Sequence, residues 1–264
     1  MTSRMLNKAA FGVVVAFGAA VFAPPAMGQG APAFTMEWTT NDGTVTYDWN
    51  QFGTLNGFGT YQVPGNNQDW TGWNYDGNLV GLGWELVWNC VFNDSAAGQG
   101  GVGGAFVTAN IVVTNNDVVN QNFSLLMTLP TGLLGAMFEQ GSVVGTVTDL
   151  TQDDATVFAP AGSRIYTPMI DGSAEVPGFL MTDPFSQAAG GAFQSAAVGP
   201  ADFGIVPISQ TVDASIGILL SFDLTAGDSA SFTSIFEITP VPAPAGLPVL
   251  AALGLMAGRR RRRR

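Results

Sequence analysis

Ala105-Phe106-Val107-Thr108-Ala109-Asn110-Ile111-Val112-Val113-Thr114, then Asn115-Asn116-Asp117, then Phe123-Ser124-Leu125-Leu126-Met127-Thr128-Leu129-Pro130, is the stretch on which the fold turns. Ala105, Val107, Ala109, Ile111 and Val113 fall on one side of a period-two strand, with Phe106, Thr108, Asn110, Val112 and Thr114 on the other. Past the turn residues, Phe123, Leu125, Met127 and Leu129 repeat the apolar period, and Pro130 ends it because proline cannot donate to a strand ladder. The pattern predicts an antiparallel pair joined through 115–117.

The same period recurs in both directions. Phe34 to Trp38 and Thr44 to Trp49 flank Asn41-Asp42-Gly43, a hairpin signal. Trp84, Leu86, Trp88, Cys90 and Phe92 share one face of a strand over 83–92. Ser142 to Thr148 and Ala155 to Phe158 read as shorter strands around a turn at Asp153-Asp154, and Ile165-Tyr166-Thr167 as another. Ile216, Ile218, Leu220, Phe222 and Leu224 face one way, Thr225-Ala226-Gly227-Asp228 turns the chain, and Phe232, Phe236 and Ile238 return on the inner side. Ser186 to Gly204 is Ala/Gly-rich without a period, which predicts a loop and the one internal boundary. About eight to ten strands with turns every 8–12 residues predict an all-β fold, an antiparallel β-sandwich. The central and final hairpins resemble in pattern those of immunoglobulin-like surface modules, and a jelly roll fits the same spacing.

The two ends of the 264-residue chain read differently. Residues 1–28 carry Arg4 and Lys8, an apolar stretch from Ala9 to Ala23, and Ala26-Met27-Gly28, a small-x-small cleavage site. That order predicts a secretory signal peptide cut between Gly28 and Gln29. Residues 241–264 hold a Pro-rich hinge, Val241-Pro242-Ala243-Pro244, an apolar run, and then Arg259, Arg260, Arg261, Arg262, Arg263 and Arg264. The run from Val249 to Gly258 is about half of the roughly 20 residues that a spanning helix needs. Arginines so placed stay on the cytoplasmic side, near anionic lipid. This tail resembles the PEP-CTERM sorting signal, with Ala243 standing where that pattern has its central Glu. The resemblance implies a short transmembrane sorting helix, a membrane-anchored precursor held transiently in the inner membrane, and recognition by an exosortase-type processing enzyme. The mature form would be at the cell surface or extracellular.

Residues 29–240 are thereby expected to form the extracellular domain. They contain one basic residue, Arg164, against all twenty acidic ones, a net charge of −19. A surface so acidic repels phosphate backbones, so no nucleic acid partner is expected. The chain has no His, which removes Ser-His-Asp and Cys-His systems and His-based zinc sites. Gly98 to Gly104 has no Lys of the kind a phosphate loop needs. Cys90 is single, cannot form a disulfide within the chain, and reads as a small buried hydrophobe. Paired carboxylates are the catalytic chemistry left, and twenty acids single out no pair, so no catalytic residues are assigned and no enzyme is expected.

All six tryptophans, at 38, 49, 70, 73, 84 and 88, lie early in this domain. Trp84 and Trp88 read as core. Asn66 to Asn78 reads as a loop in which Trp70, Trp73 and Tyr75 alternate with amides and carboxylates. Flat rings beside hydrogen-bonding groups suit sugar faces and hydroxyls, which makes these three the candidate carbohydrate-binding residues and exopolysaccharide the candidate ligand. Rings folded back over the sandwich end are the competing reading. Asp76-Gly77-Asn78 and Asp153-Asp154 offer hard oxygens for a structural calcium ion but lack EF-hand spacing, so solvated turns are expected and no cofactor or metal is assigned. The function that follows is that of an exported, non-enzymatic surface or extracellular-matrix protein sorted through its tail, with a carbohydrate-binding module as the alternative.

Overall fold

The structure is a computed structural model that describes residues 31, 33–48, 53–62, 69–94, 104–133, 135–175, 178–208 and 211–241. The signal segment to Gln29, Trp49, Asn66 to Gln68, the glycines at 98, 100, 101 and 103, and the tail from Pro242 lie outside the described residues. Among the described residues no helix is long and apolar enough to cross a membrane.

Among the described residues sixteen strands run in chain order: β1 Thr35–Thr40, β2 Gly43–Asp48, β3 Gly53–Gln62, β4 Asp69–Gly81, β5 Trp84–Asp94, β6 Ala105–Asn115, β7 Gln121–Pro130 and β8 Met137–Thr148. They continue with β9 Ala155–Phe158, β10 Arg164–Ile170, β11 Ser173–Ala174, β12 Leu180–Thr182, β13 Ser186–Ala189, β14 Ser195–Pro207, β15 Ser215–Leu224 and β16 Ser229–Pro240. Seven form one antiparallel sheet in the order β14-β8-β16-β6-β5-β4-β3. Nine form the other, in the order β11-β10-β15-β7-β1-β2, with β12 on β10, β9 on β15 and β13 on β9.

The two inner faces share one core because each strand sends alternate apolar residues inward. Contacts cross between the sheets all along it. Phe34 stacks on Phe92 with centroids 4.6 Å apart, Trp38 lies 5.6 Å from Trp84, and Phe222 lies 4.8 Å from Phe232. Trp88, Cys90 and Phe92 are buried with Leu86, and Trp84 is half-buried, as the period over 83–92 predicts. The predicted β1–β2 hairpin forms, with Asn41 and Asp42 as its turn and Gly43 already in β2, paired with Thr40.

Three predicted hairpins are instead arches between the sheets. β6 pairs with β5 and β16, while β7 pairs with β1 and β15. β8 and β9 likewise lie in different sheets, as do β15 and β16. Alternation says which side of a strand is buried, and both sheets bury an apolar face, so it does not say which sheet a strand joins. Residues 116–120 are enough to step across the roughly 10 Å between packed sheets. The hairpins whose pattern resembles immunoglobulin-like modules are therefore not hairpins.

Ser186 to Gly204 is not a loop. β13 pairs with β9, and β14 runs along β8 as an edge strand of the seven-stranded sheet. Its register shifts between Val198 and Ala201 and again between Phe203 and Val206. Each bulge moves the next side chain to the other face, which erases the period-two signal. Much of the strand is exposed, Ile205 to 67%, so small polar-tolerant residues suit it.

Candidate functional site

The stretch read as an aromatic loop is mostly strand. Asp69–Gly81 is β4, paired with β3 on one side and β5 on the other. Its aromatic and amide alternation is the period of a strand with an apolar inner face and a polar outer one. Tyr75 is fully buried, 6.0 Å from the Trp88 ring and 6.1 Å from Phe34. Burial, with smaller contributions from Cys90 and Asp76, pushes its hydroxyl up to about 12. Trp73 is half-buried against the core and meets Phe58 edge-on at 5.6 Å. The backbone of Trp70 pairs with Tyr61, and the Trp70 side chain is not among those described. Tyr75 thus belongs to the core rather than to a sugar platform, which corrects that expectation for Tyr75, and Trp73 lies half-buried on the same side of the strand.

The outer face of β4 carries the polar half of the pattern. Asn74 is 3% exposed, and its Nδ2 donates to Asn89 Oδ1 at 3.0 Å and to the Cys90 carbonyl at 3.3 Å. Asn56, at the β3 bulge, donates through Nδ2 to Asn74 Oδ1 at 2.7 Å and to Asp76 Oδ1. Asp76 is the register partner of Asn89, Asn89 of Asn110, and Asn110 of Thr233. The Thr233 hydroxyl closes the row by donating to Asn110 Oδ1 at 3.2 Å. The result is a band of amide, carboxylate and hydroxyl groups across β4, β5, β6 and β16. Such a band offers interleaved donors and acceptors of the kind that hydroxyl-rich ligands engage. Asn89 and Asn110 were legible in sequence as outward positions, but their alignment needed the strand pairing.

The arches gather at one end of the molecule. Asn115 is fully buried there, and its Nδ2 reaches the carbonyls of Val119, Thr225 and Leu224 at 2.9, 3.0 and 3.1 Å. Its backbone N–H donates to the Asp228 carbonyl at 2.8 Å. Asp149, Asp153 and Asp228 place one carboxylate oxygen each within 4.8 Å of one another, Asp149 and Asp228 buried and Asp153 exposed. Three such carboxylates are a hard-oxygen set of the type a divalent cation takes. Much of their capacity is already engaged. Asp149 accepts from the N–H groups of Gln152, Thr151 and Phe193 at 2.7, 2.9 and 3.1 Å. Asp228 accepts from Leu150 N–H at 3.2 Å and from the Thr225 hydroxyl. Burial by itself would raise the Asp149 carboxyl, but those N–H donors outweigh it and hold it below the usual aspartate range. Burial raises Asp228. Of the predicted metal candidates, Asp153 joins this group, Asp154 accepts from Gly191 N–H at 2.9 Å, and Asp76-Gly77-Asn78 is strand rather than turn. Asp149 and Asp228 escaped the sequence reading because lone acids beside turns look solvated.

Cys90 is fully buried and donates its thiol to Met127 Sδ at 3.4 Å, across the two sheets. Burial, with a lesser contribution from Asp76, pushes the thiol up, away from the reactive thiolate.

No family model matches the chain, and no curated protein matches it. Among solved structures, one that matches is that of TmCBM61 in complex with beta-1,4-galactotriose, at 14% identity over 58% of this chain and 86% of that one, with a TM-score of 0.18. A score that low carries no argument about fold detail or ligand.

Proposed function

We propose that this is an exported, non-catalytic surface or extracellular-matrix protein whose double-sheet body is sorted through a PEP-CTERM-like tail by an exosortase-type membrane enzyme. The observation that supports the reading is where the fold closes. All sixteen described strands lie between Thr35 and Pro240, and the last described backbone bond of the sheet end is Val241 N–H to the Ala136 carbonyl at 2.9 Å. The body carries the acidic charge, and the arginine run follows it.

Deleting residues 242–264 tests this. The expected result is a shift from a membrane-retained precursor to a freely exported protein with the melting temperature of the mature wild-type body. Insoluble or protease-sensitive truncated protein would mean that the tail belongs to the fold.

A second reading is carbohydrate binding, and the amide band on the outer face of the seven-stranded sheet favours it. The ligand would be an exopolysaccharide lying across Asp76, Asn89 and Asn110 rather than a ring platform of Trp73 and Tyr75. Affinity electrophoresis against the host's own exopolysaccharide checks it. Asn110→Ala should weaken retardation several-fold with little change in melting temperature, and unchanged retardation by Asn110→Ala would remove this reading.

A further inference from the structure

Glu139 and Glu175 are acidic side chains that the fold buries. Glu139 sits on the inner face of β8 between Met137 and Gly141 and is 2% exposed, and Glu175, just after β11, is 6% exposed. Two features bring the chain around Glu175 toward this part of β8. The Phe203 ring of β14 lies where a Cβ on Gly141 and a Cβ on Gly178 would both be, so the segment after Glu175 packs over this part of β8. The Glu175 N–H donates to the Pro168 carbonyl at 2.9 Å, and Pro168 also borders Gly178.

Glu139 Oε2 finds no hydrogen-bond partner among the described residues. The Tyr166 hydroxyl borders Gly141, but it donates to the Ile235 carbonyl at 2.8 Å, and a phenol has one hydrogen to give. An ionised carboxylate with an orphaned oxygen in such a place is strongly disfavoured, whereas a carboxylic acid is tolerated far better.

We propose that Glu139 and Glu175 form a buried carboxyl pair that holds a proton in the folded protein, making the sandwich most stable in mild acid and progressively weaker toward neutral pH. Among the described residues, none of the other charged groups on the packed elements is a hydrogen-bond partner of Glu139 Oε2. Arg164 on β10 lies over the Phe179 ring, 3.4 Å from its centroid, and donates Nε–H to the Thr167 hydroxyl. Glu237 on β16 is on the outer face, where Gln140 donates to it, and Asp202 on β14 is exposed. β9, β12 and β13 carry no charged residue. Burial first, and then Glu175, push the Glu139 carboxyl up to about 7, and burial raises Glu175 as well.

The sign follows from proton linkage. Glu139 has a raised pKa in the folded state and an ordinary one, near 4.3, when unfolded, so between those values the folded state holds the extra proton. Its stabilising contribution is complete below about pH 4 and is lost as pH rises to about 7, after which it is flat. In that window the unfolding constant should rise by up to about tenfold per pH unit.

The experiment is urea denaturation of residues 29–241 of the secreted protein at half-unit steps from pH 5 to 9, for wild type, Glu139→Gln and Glu175→Gln, each with EDTA and with millimolar calcium. The expected result is a wild-type unfolding constant that climbs to about pH 7 and levels, a nearly flat profile for Glu139→Gln, and a climb that ends at lower pH for Glu175→Gln, which removes the like charge. If Glu139→Gln does not fold, the Glu175→Gln profile and a carbon-13 titration of the Glu139 carboxyl near pH 7 decide the matter. A wild-type profile parallel to that of Glu139→Gln, or a Glu139 carboxyl titrating near 4, overturns the proposal. Stabilisation by calcium at pH 8 that Glu139→Gln abolishes also overturns it, since the pair would then be a cation site.

Discussion

Asn115→Ala is the substitution that best tests how the arches are held. The Asn115 Nδ2 has two hydrogens and three carbonyls within reach, those of Val119, Thr225 and Leu224, while its Oδ1 accepts from the Asp117 N–H at 3.0 Å. Truncation therefore deletes about three hydrogen bonds at about 1 kcal/mol each. The Leu224 contact is buried, so that carbonyl cannot turn to water, and leaving it unmade adds about 1 kcal/mol more. The expected loss is about 3 to 4 kcal/mol in urea denaturation followed by tryptophan fluorescence, with the m-value unchanged. Asn116→Ala, one residue along and exposed, is the control and should stay within about 0.5 kcal/mol of wild type. Asn115→Asp should be as damaging at neutral pH, because a carboxylate faces the same carbonyls, and should recover in part in acid, where the carboxylic acid regains a donor. A loss below about 1 kcal/mol for Asn115→Ala would refute the reasoning, since the arches would then be held by packing alone.

Further expectations follow from the same geometry. Cys90 should resist a thiol reagent in the native state and react on denaturation, with Cys90→Ala costing on the order of 1 kcal/mol; rapid native labelling would contradict its position between the sheets. Tyr75→Ala should destabilise by roughly 3 kcal/mol or more, the scale for removing a buried large side chain, and should leave any polysaccharide retardation intact. Asp149 has its pKa lowered in the folded state, so its contribution is present at neutral pH and lost as pH falls through the folded value, below the usual aspartate range. Acid unfolding monitored by circular dichroism should therefore be shallower in Asp149→Asn than in wild type; identical acid limbs would show that its N–H donors do not select the ionised form.

Several features of this protein were decided by residue order alone. The inner faces at 84–92, 105–113, 123–129 and 216–224 follow from alternation, because side chains on a strand alternate sides whatever the strand pairs with. The acidic body, the lack of His and the isolation of Cys90 are likewise properties of composition. Alternation also runs through 69–78, but only the pairing of β4 with β3 and β5 makes Tyr75 a core residue rather than part of a ligand surface. Which sheet each strand joins was settled only in three dimensions. A link such as 116–120 or 225–228 can turn back within a sheet or arch to the opposite one, and the choice rests on which partner face completes the core. The same holds for Asp149 beside Asp228 and for the row from Asp76 to Thr233. Each of these joins residues far apart in the chain, so its chemistry depends on strand register and sheet packing, to which local sequence is blind.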